Sequence, residues 1–193
     1  MEPRLFKTAA AWRAWLARNG GKATEIWLAY FKKDSGKKSV TYQEALDEAL
    51  CYGWIDSIVR RLDAERFQQR WTPRKPRSVW SARNKARIAA LQAAGRMAEP
   101  GLAAVERAKG NGSWDMLTEI ERIDRGGGPP DEVVAAIAAC PGLKAKFGAL
   151  PASKRKMLAY WVTSAKRPET RDRRIAQLEE LIDSNRLPGF NKE

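Results

Sequence analysis

The sequence predicts an α+β fold: a small antiparallel sheet of about three strands packed with helices, followed by a mainly helical C-terminal region. Three observations predict it. Residues 24–31 (TEIWLAYF) are apolar on both alternations, as in a strand covered on both faces. Residues 54–62 and 65–72 read as two short strands joined at Asp63-Ala64, with Phe67 and Trp71 on one face and Arg66, Gln68, Arg70 and Thr72 on the other. Beyond residue 78, apolar side chains recur at helical spacing between Ser, Gly and Pro stops.

In chain order, Thr8 is placed to cap a helix through Arg18, with Trp12, Trp15 and Leu16 on one face and Asn19-Gly20-Gly21 ending it. After the 24–31 strand, residues 32–39 form a polar, lysine-rich loop containing Gly36. Thr41 with Glu44 three residues later is a capping box, opening a helix to Tyr52. A hairpin centred on Asp63-Ala64 sets Arg61 opposite Arg66 and Ser57 opposite Arg70. Like charges facing across strands repel, so an anion or an acidic side chain from elsewhere is needed there. Ser78 or Ser81 caps a helix that Gly95 ends, and Pro100 suits the first turn of the next, through Lys109. Gly126-Gly127-Gly128-Pro129-Pro130 reads as a linker. It divides a 1–125 basic α+β core domain from a helical 131–193 region with helices near 131–139, 143–147, 153–165 and 168–184.

Composition excludes several chemistries. The 193 residues contain no histidine, which rules out Cys–His pairs, Ser–His triads and His-containing zinc sites. Cys51 and Cys140 lack a CxxC spacing and read as buried thiols. No apolar run approaches the ~20 residues that span a bilayer, and residues 1–11 lack the apolar stretch of a secretory signal. A cytoplasmic protein without membrane insertion is the resulting expectation, and no cofactor is implied.

The net charge of +13 is concentrated. Residues 60–87 carry ten basic and two acidic side chains, a net of +8, against +2 for residues 1–59 and +3 for residues 88–193. Charge focused in this way points to an anionic partner, whereas an even spread serves solubility alone. Arg70, Arg74, Lys75 and Arg77 flank Pro73 and Pro76 and lead into the helix start near Ser78–Ser81. Unpaired N–H groups at that start add to bidentate guanidinium donors. The candidate ligand residues are therefore Arg61, Arg66, Arg70, Arg74, Arg77, Trp80, Ser81 and Asn84. The bland alternative is a solvated loop whose arginines pair with acidic residues of the 41–52 helix. Trp54, Trp71 and Trp80 read mostly as core, with Trp80 as the candidate for stacking on a ligand because it stands at the helix entry. Asp56 serves either as an acid/base or as a counter-ion of Arg70 or Arg74, and ion pairs outnumber catalytic carboxylates.

Residues 45–56 (ALDEALCYGWID), 66–81 (RFQQRWTPRKPRSVWS) and 99–105 (EPGLAAV) resemble the YdeI/OmpD-associated, or bacteriocin-protection, family. So does the run 147–175 with Ser153, Arg155, Trp161, Ala165-Lys166, Glu169-Thr170-Arg171 and Arg173-Arg174-Ile175. The resemblance covers nearly the whole chain and makes residues 131–193 similar to the family's C-terminal domain. It implies protection against bacteriocins or antimicrobial peptides, or a stress role, and carries no catalytic residues. Three classes of function stay open. The first is a module binding a phosphate-bearing or nucleic-acid ligand through residues 60–87; the second a small enzyme acting on an anionic metabolite; the third an adaptor for a protein partner the sequence does not name.

Overall fold

The computed structural model describes residues 2–121, 129–140 and 142–184. The chain forms two compact units, Met1–Trp114 and Asp115–Glu193. Of the predicted linker, Pro129 and Pro130 are described, and Gly126, Gly127 and Gly128 lie outside the described residues.

The first unit carries β1 (Arg4–Leu5), α1 (Ala9–Asn19), β2 (Ile26–Phe31), a 3-10 turn (Lys33–Ser35), α2 (Tyr42–Cys51), β3 (Trp54–Arg61), β4 (Arg66–Pro73), α3 (Ala82–Ala93) and α4 (Glu99–Gly110). The fold is α+β as predicted, with one strand more. The sheet has the order β1-β2-β4-β3, and the two residues of β1 pair with β2 in parallel. Three of the helices start where local chemistry placed them. Thr8 accepts from the Ala11 N–H at 3.2 Å, and Ser81, not Ser78, caps α3 by accepting from the Asn84 N–H at 3.3 Å. At α2 both halves of the capping box form: Thr41 accepts from the Glu44 N–H, and Glu44 accepts from the Thr41 N–H at 2.8 Å.

One face of the sheet meets α1, α2 and α3 through a core rich in tryptophan: Trp12, Trp54, Trp71 and Trp80 are all buried, together with Leu16, Leu28, Leu50 and Ile88. The indole N–H groups are satisfied: Trp12 donates to the Ala45 carbonyl, Trp54 to that of Gly20 and Trp71 to the Tyr30 hydroxyl at 3.1 Å. Glu48, buried within α2, accepts from Arg13 at 2.7 Å and Arg96 at 2.6 Å, so a carboxylate removed from water keeps two cations beside it. Cys51 is fully buried, and burial pushes its thiol above the ordinary value, which makes it inert as a nucleophile.

The hairpin differs in register from the expectation. Arg61 pairs with Phe67 and Arg60 with Gln68, so Arg61 does not face Arg66. Asp63 causes the shift: its carboxylate accepts from the N–H groups of Glu65 at 2.9 Å and Arg66 at 2.7 Å, which draws Leu62–Glu65 into the turn. A bulge between Asp56 and Val59 then restores the expected offset, Asp56 pairs with Trp71, and the Ser57 hydroxyl donates to the Arg70 carbonyl at 3.3 Å. The bulge lies on an edge strand and leaves Ile58 and Val59 exposed.

The second unit carries α5 (Thr118–Glu121), α6 (Asp131–Ala139), α7 (Leu143–Ala149), α8 (Ala152–Thr163), α9 (Pro168–Ala176) and α10 (Leu178–Asp183). Its core is Val133, Ile137, Leu143, Phe147, Leu158, Trp161, Val162 and Leu178. The single helix predicted over 168–184 divides at Gln177, whose backbone stays right-handed, so Ile175, Leu178, Leu181 and Ile182 still reach one core. The arginines of the 147–175 run have a structural task. Arg174 donates to the Trp161 carbonyl at 2.6 Å and lies over the Trp161 ring, while Arg171 donates to the Ala165 carbonyl at 3.2 Å and pairs with Glu132 at 2.7 Å. Together they satisfy carbonyls at the end of α8 that have no partner within the helix. Among the described residues no helix is long and apolar enough to cross a membrane.

Candidate functional site

The arginines of residues 60–87 do not converge. Arg66 opens β4 and Arg74 follows its last residue, Pro73, about 25 Å away at the usual strand rise. Arg66 donates to Asp63 at 2.7 Å, and Arg61 donates to the Asp63 carbonyl at 3.2 Å. Arg70 pairs with Glu25, its Nε donating at 2.9 Å, and Arg87 pairs with Asp47 and donates to Gln43. The register keeps Arg61 from facing Arg66, and Arg66 and Arg70 are each matched by one of the protein's own carboxylates. Of the pairing with α2 that the bland alternative foresaw, the Arg87–Asp47 pair forms, whereas Arg66 and Arg70 pair with Asp63 and Glu25 outside that helix. Arg77 is exposed on the loop before α3, which the Asn111 side chain anchors by donating to the Pro76 carbonyl at 2.7 Å.

Arg74 and Trp80 do come together, as core. The Arg74 guanidinium lies 3.6 Å from the centre of the Trp80 ring, which also meets the Trp114 ring at 5.1 Å. At 1% exposure Trp80 offers no face to a ligand, which corrects the expectation drawn from its place at the helix entry. Arg74 donates to the Val79 carbonyl at 3.1 Å, and its Nε has no hydrogen-bond partner. Burial lowers its pKa to about 10, with Asp56 opposing the shift, so it remains a cation at neutral pH. Asp56 acts on Arg74 through its charge alone, with no ion pair between them among the described residues. Its carboxylate accepts from Gln69 at 2.7 Å and from the Tyr42 hydroxyl at 3.2 Å. Ser81 and the Asn84 N–H are used in capping α3.

A cavity lies elsewhere. About 330 Å³ opens between the end of β2, the 32–41 loop and the start of α2, lined by Lys32, Lys33, Lys37 and Lys38, by Tyr30, Phe31, Tyr42 and Phe67, and by Ser39, Val40 and Thr41. Lys37 pairs with Glu65 at 2.6 Å, and Lys32 donates to the Ala64 carbonyl at 2.8 Å. Lys33 and Lys38 are exposed and have no ion pair among the described residues. Sequence reading passed over this loop because a lysine-rich turn looks like a solvated surface, and its wall depends on Phe67, 29 residues beyond Lys38. The signal present in the sequence was four lysines within seven residues, directly followed by a helix cap. Among the described residues no three His, Cys, Asp or Glu side chains gather as a metal site.

The Arg70–Glu25 and Arg66–Asp63 pairs make the sheet sensitive to acid. Arg70 first, and to a smaller degree Trp27, holds the Glu25 carboxyl below its usual 4.5, and Arg66 with two backbone N–H groups holds Asp63 below 3.8. A carboxyl depressed on folding stabilises above its unfolded value and loses that contribution as pH falls through the folded one. Thermal melting is therefore expected to drop as pH is lowered beneath 4.5, and Glu25→Gln should flatten that part of the profile. An identical acid profile in the variant contradicts the assignment.

Two family models match the chain. Residues 4–104, just over half of it, match the family described as Domain of unknown function (DUF8412), and residues 129–185 match that described as Bacteriocin-protection, YdeI or OmpD-Associated. No curated protein and no solved structure matches. The Gly-Trp-Ile-Asp and Thr-Pro-Arg…Trp-Ser elements fall in the first match, and the run 147–175 falls in the second. The protein belongs to the DUF8412 family through its sheet-bearing unit and carries, over residues 129–185, a segment that matches the family described as Bacteriocin-protection, YdeI or OmpD-Associated.

Proposed function

We propose that this protein is a binding module for a small anionic, phosphate-bearing ligand, held in the lysine-lined cavity beside the basic hairpin. One observation carries the reading: four lysines border a cavity of about 330 Å³, and two of them have no ion pair among the described residues. Such a volume lies at the small end of the range for ligand pockets, roughly 300–1,000 Å³. The surrounding positive field raises the local anion concentration even though most hairpin arginines are paired. Acting in the cytoplasm, the module would serve a stress or peptide-resistance response indirectly, since a protein of charge +13 repels cationic peptides. A catalytic reading centred on Asp56 is less favoured, because Tyr42 and Gln69 already occupy its carboxylate.

Isothermal titration with pyrophosphate tests the proposal. The wild type is expected to bind with an affinity that falls as salt rises, and the Lys33→Glu/Lys38→Glu variant to bind at least about tenfold more weakly, the equivalent of ~1.4 kcal/mol. An Arg61→Ala/Arg77→Ala variant should stay within about twofold, because neither residue lines the cavity. Affinity that ignores salt, or that falls with the arginine pair instead, overturns the assignment.

A further inference from the structure

Resting on the anion-binding reading, we infer that the cavity's ligand carries a flat unsaturated ring next to its anionic group, making it an aromatic phosphate rather than a bare or aliphatic one. Four of the lining residues are aromatic, and they are held in place before any ligand arrives. Tyr30 and Phe67 stack with centroids 5.0 Å apart and planes 12° from parallel. The Tyr30 hydroxyl accepts the Trp71 indole N–H at 3.1 Å, and Tyr42 packs against the Trp71 ring while its hydroxyl donates to Asp56 at 3.2 Å. The half-buried Tyr42 ring is pinned at its far end, so little side-chain entropy is lost when a ligand ring packs on it, and Tyr30, at 1% exposure, backs Phe67 from behind. Phe31 forms the remaining aromatic wall beneath the Lys37 ammonium, 5.7 Å from its ring centre.

Charge and aromatic surface are also segregated. The ammonium groups of Lys33 and Lys38 belong to the exposed loop, whereas Tyr42 and Phe67 are partly buried against the core. An occupant matching this division puts a ring inward and a phosphate outward. Size sets the limit. A dry cavity of about 150 Å³ holds one benzene, so about 330 Å³ accepts one ring system with one phosphate.

Three probes measured by titration at low salt decide the matter: inorganic phosphate, cyclohexyl phosphate and phenyl phosphate. Phenyl phosphate is expected to bind about tenfold more tightly than inorganic phosphate and about threefold more tightly than cyclohexyl phosphate, the last margin reflecting aromatic packing beyond simple burial. Phe67→Leu should erase the phenyl preference while leaving inorganic phosphate within about twofold. Should that variant unfold, as read by far-UV circular dichroism, Phe31→Leu, outside the core cluster, carries the same expectation. Equal affinity for phenyl and inorganic phosphate, or for phenyl and cyclohexyl phosphate, overturns this inference and leaves anion binding standing. Failure of all three probes overturns both.

Discussion

Trp80→Ala is expected to destabilise the sheet-bearing unit by about 4 kcal/mol, lowering its melting temperature by roughly 10 °C or more. The indole is 1% exposed, sits between Arg74 and Trp114, and belongs to the main core. Truncation opens a cavity and strips the Arg74 guanidinium of the ring it rests on, leaving a buried charge with fewer partners. The second effect can be isolated. In a double-mutant cycle Arg74→Ala should cost less in the Trp80→Ala background than in the wild type, with a coupling of about 1–2 kcal/mol. Additive losses in thermal melts would show that the two residues merely occupy neighbouring space, and a variant as stable as the wild type would refute the packing described.

Gly101→Ala should be comparably harmful, at about 3 kcal/mol, through backbone geometry. A Cβ at position 101 would stand 2.2 Å from the Cys51 carbonyl oxygen and 2.9 Å from that of Leu50. Helix α4 can approach the end of α2 because Gly101 has no side chain, and the Ala98 N–H donates to that same Cys51 oxygen at 3.1 Å. Nothing stands within 4 Å of a Cβ at Gly110 in the same helix, so Gly110→Ala is expected to be neutral or to stabilise by about 0.5–1 kcal/mol. Chemical denaturation of the pair checks both signs. Equal midpoints for the two variants would contradict the close approach.

Features set by a few neighbouring residues were legible in the sequence. The Thr41–Glu44 capping box, the Thr8 cap and the partition of Phe67 and Trp71 from Arg66 and Arg70 all follow from chemistry within one turn or one strand. What escaped depends on distance along the chain. Arg70 meets Glu25 across 45 residues, and no periodicity announces such a pair. The hairpin register failed for a local reason of another kind: Asp63 can fold the turn onto its own carboxylate, and the compensating bulge at Ser57–Ile58 leaves no mark in the alternation. Trp80 was misjudged because a helix entry is usually wet, whereas Trp114 reaches back to cover it. The cavity was missed for want of its wall. Lysines on a loop read as solvated until Tyr30 and Phe67 are known to stack behind them.

The Glu44 carboxylate closes the opening of α2, accepting from the Thr41 N–H and hydroxyl, each at 2.8 Å. That helix therefore has little of its dipole left to spend on an anion in the neighbouring cavity. On the proposed reading, attraction there would come from ammonium groups, which, unlike backbone amides, are open to covalent editing. Acetylating Lys33 and Lys38 would silence the cavity without disturbing a single element of the fold, whereas methylating them would preserve the charge and with it the attraction.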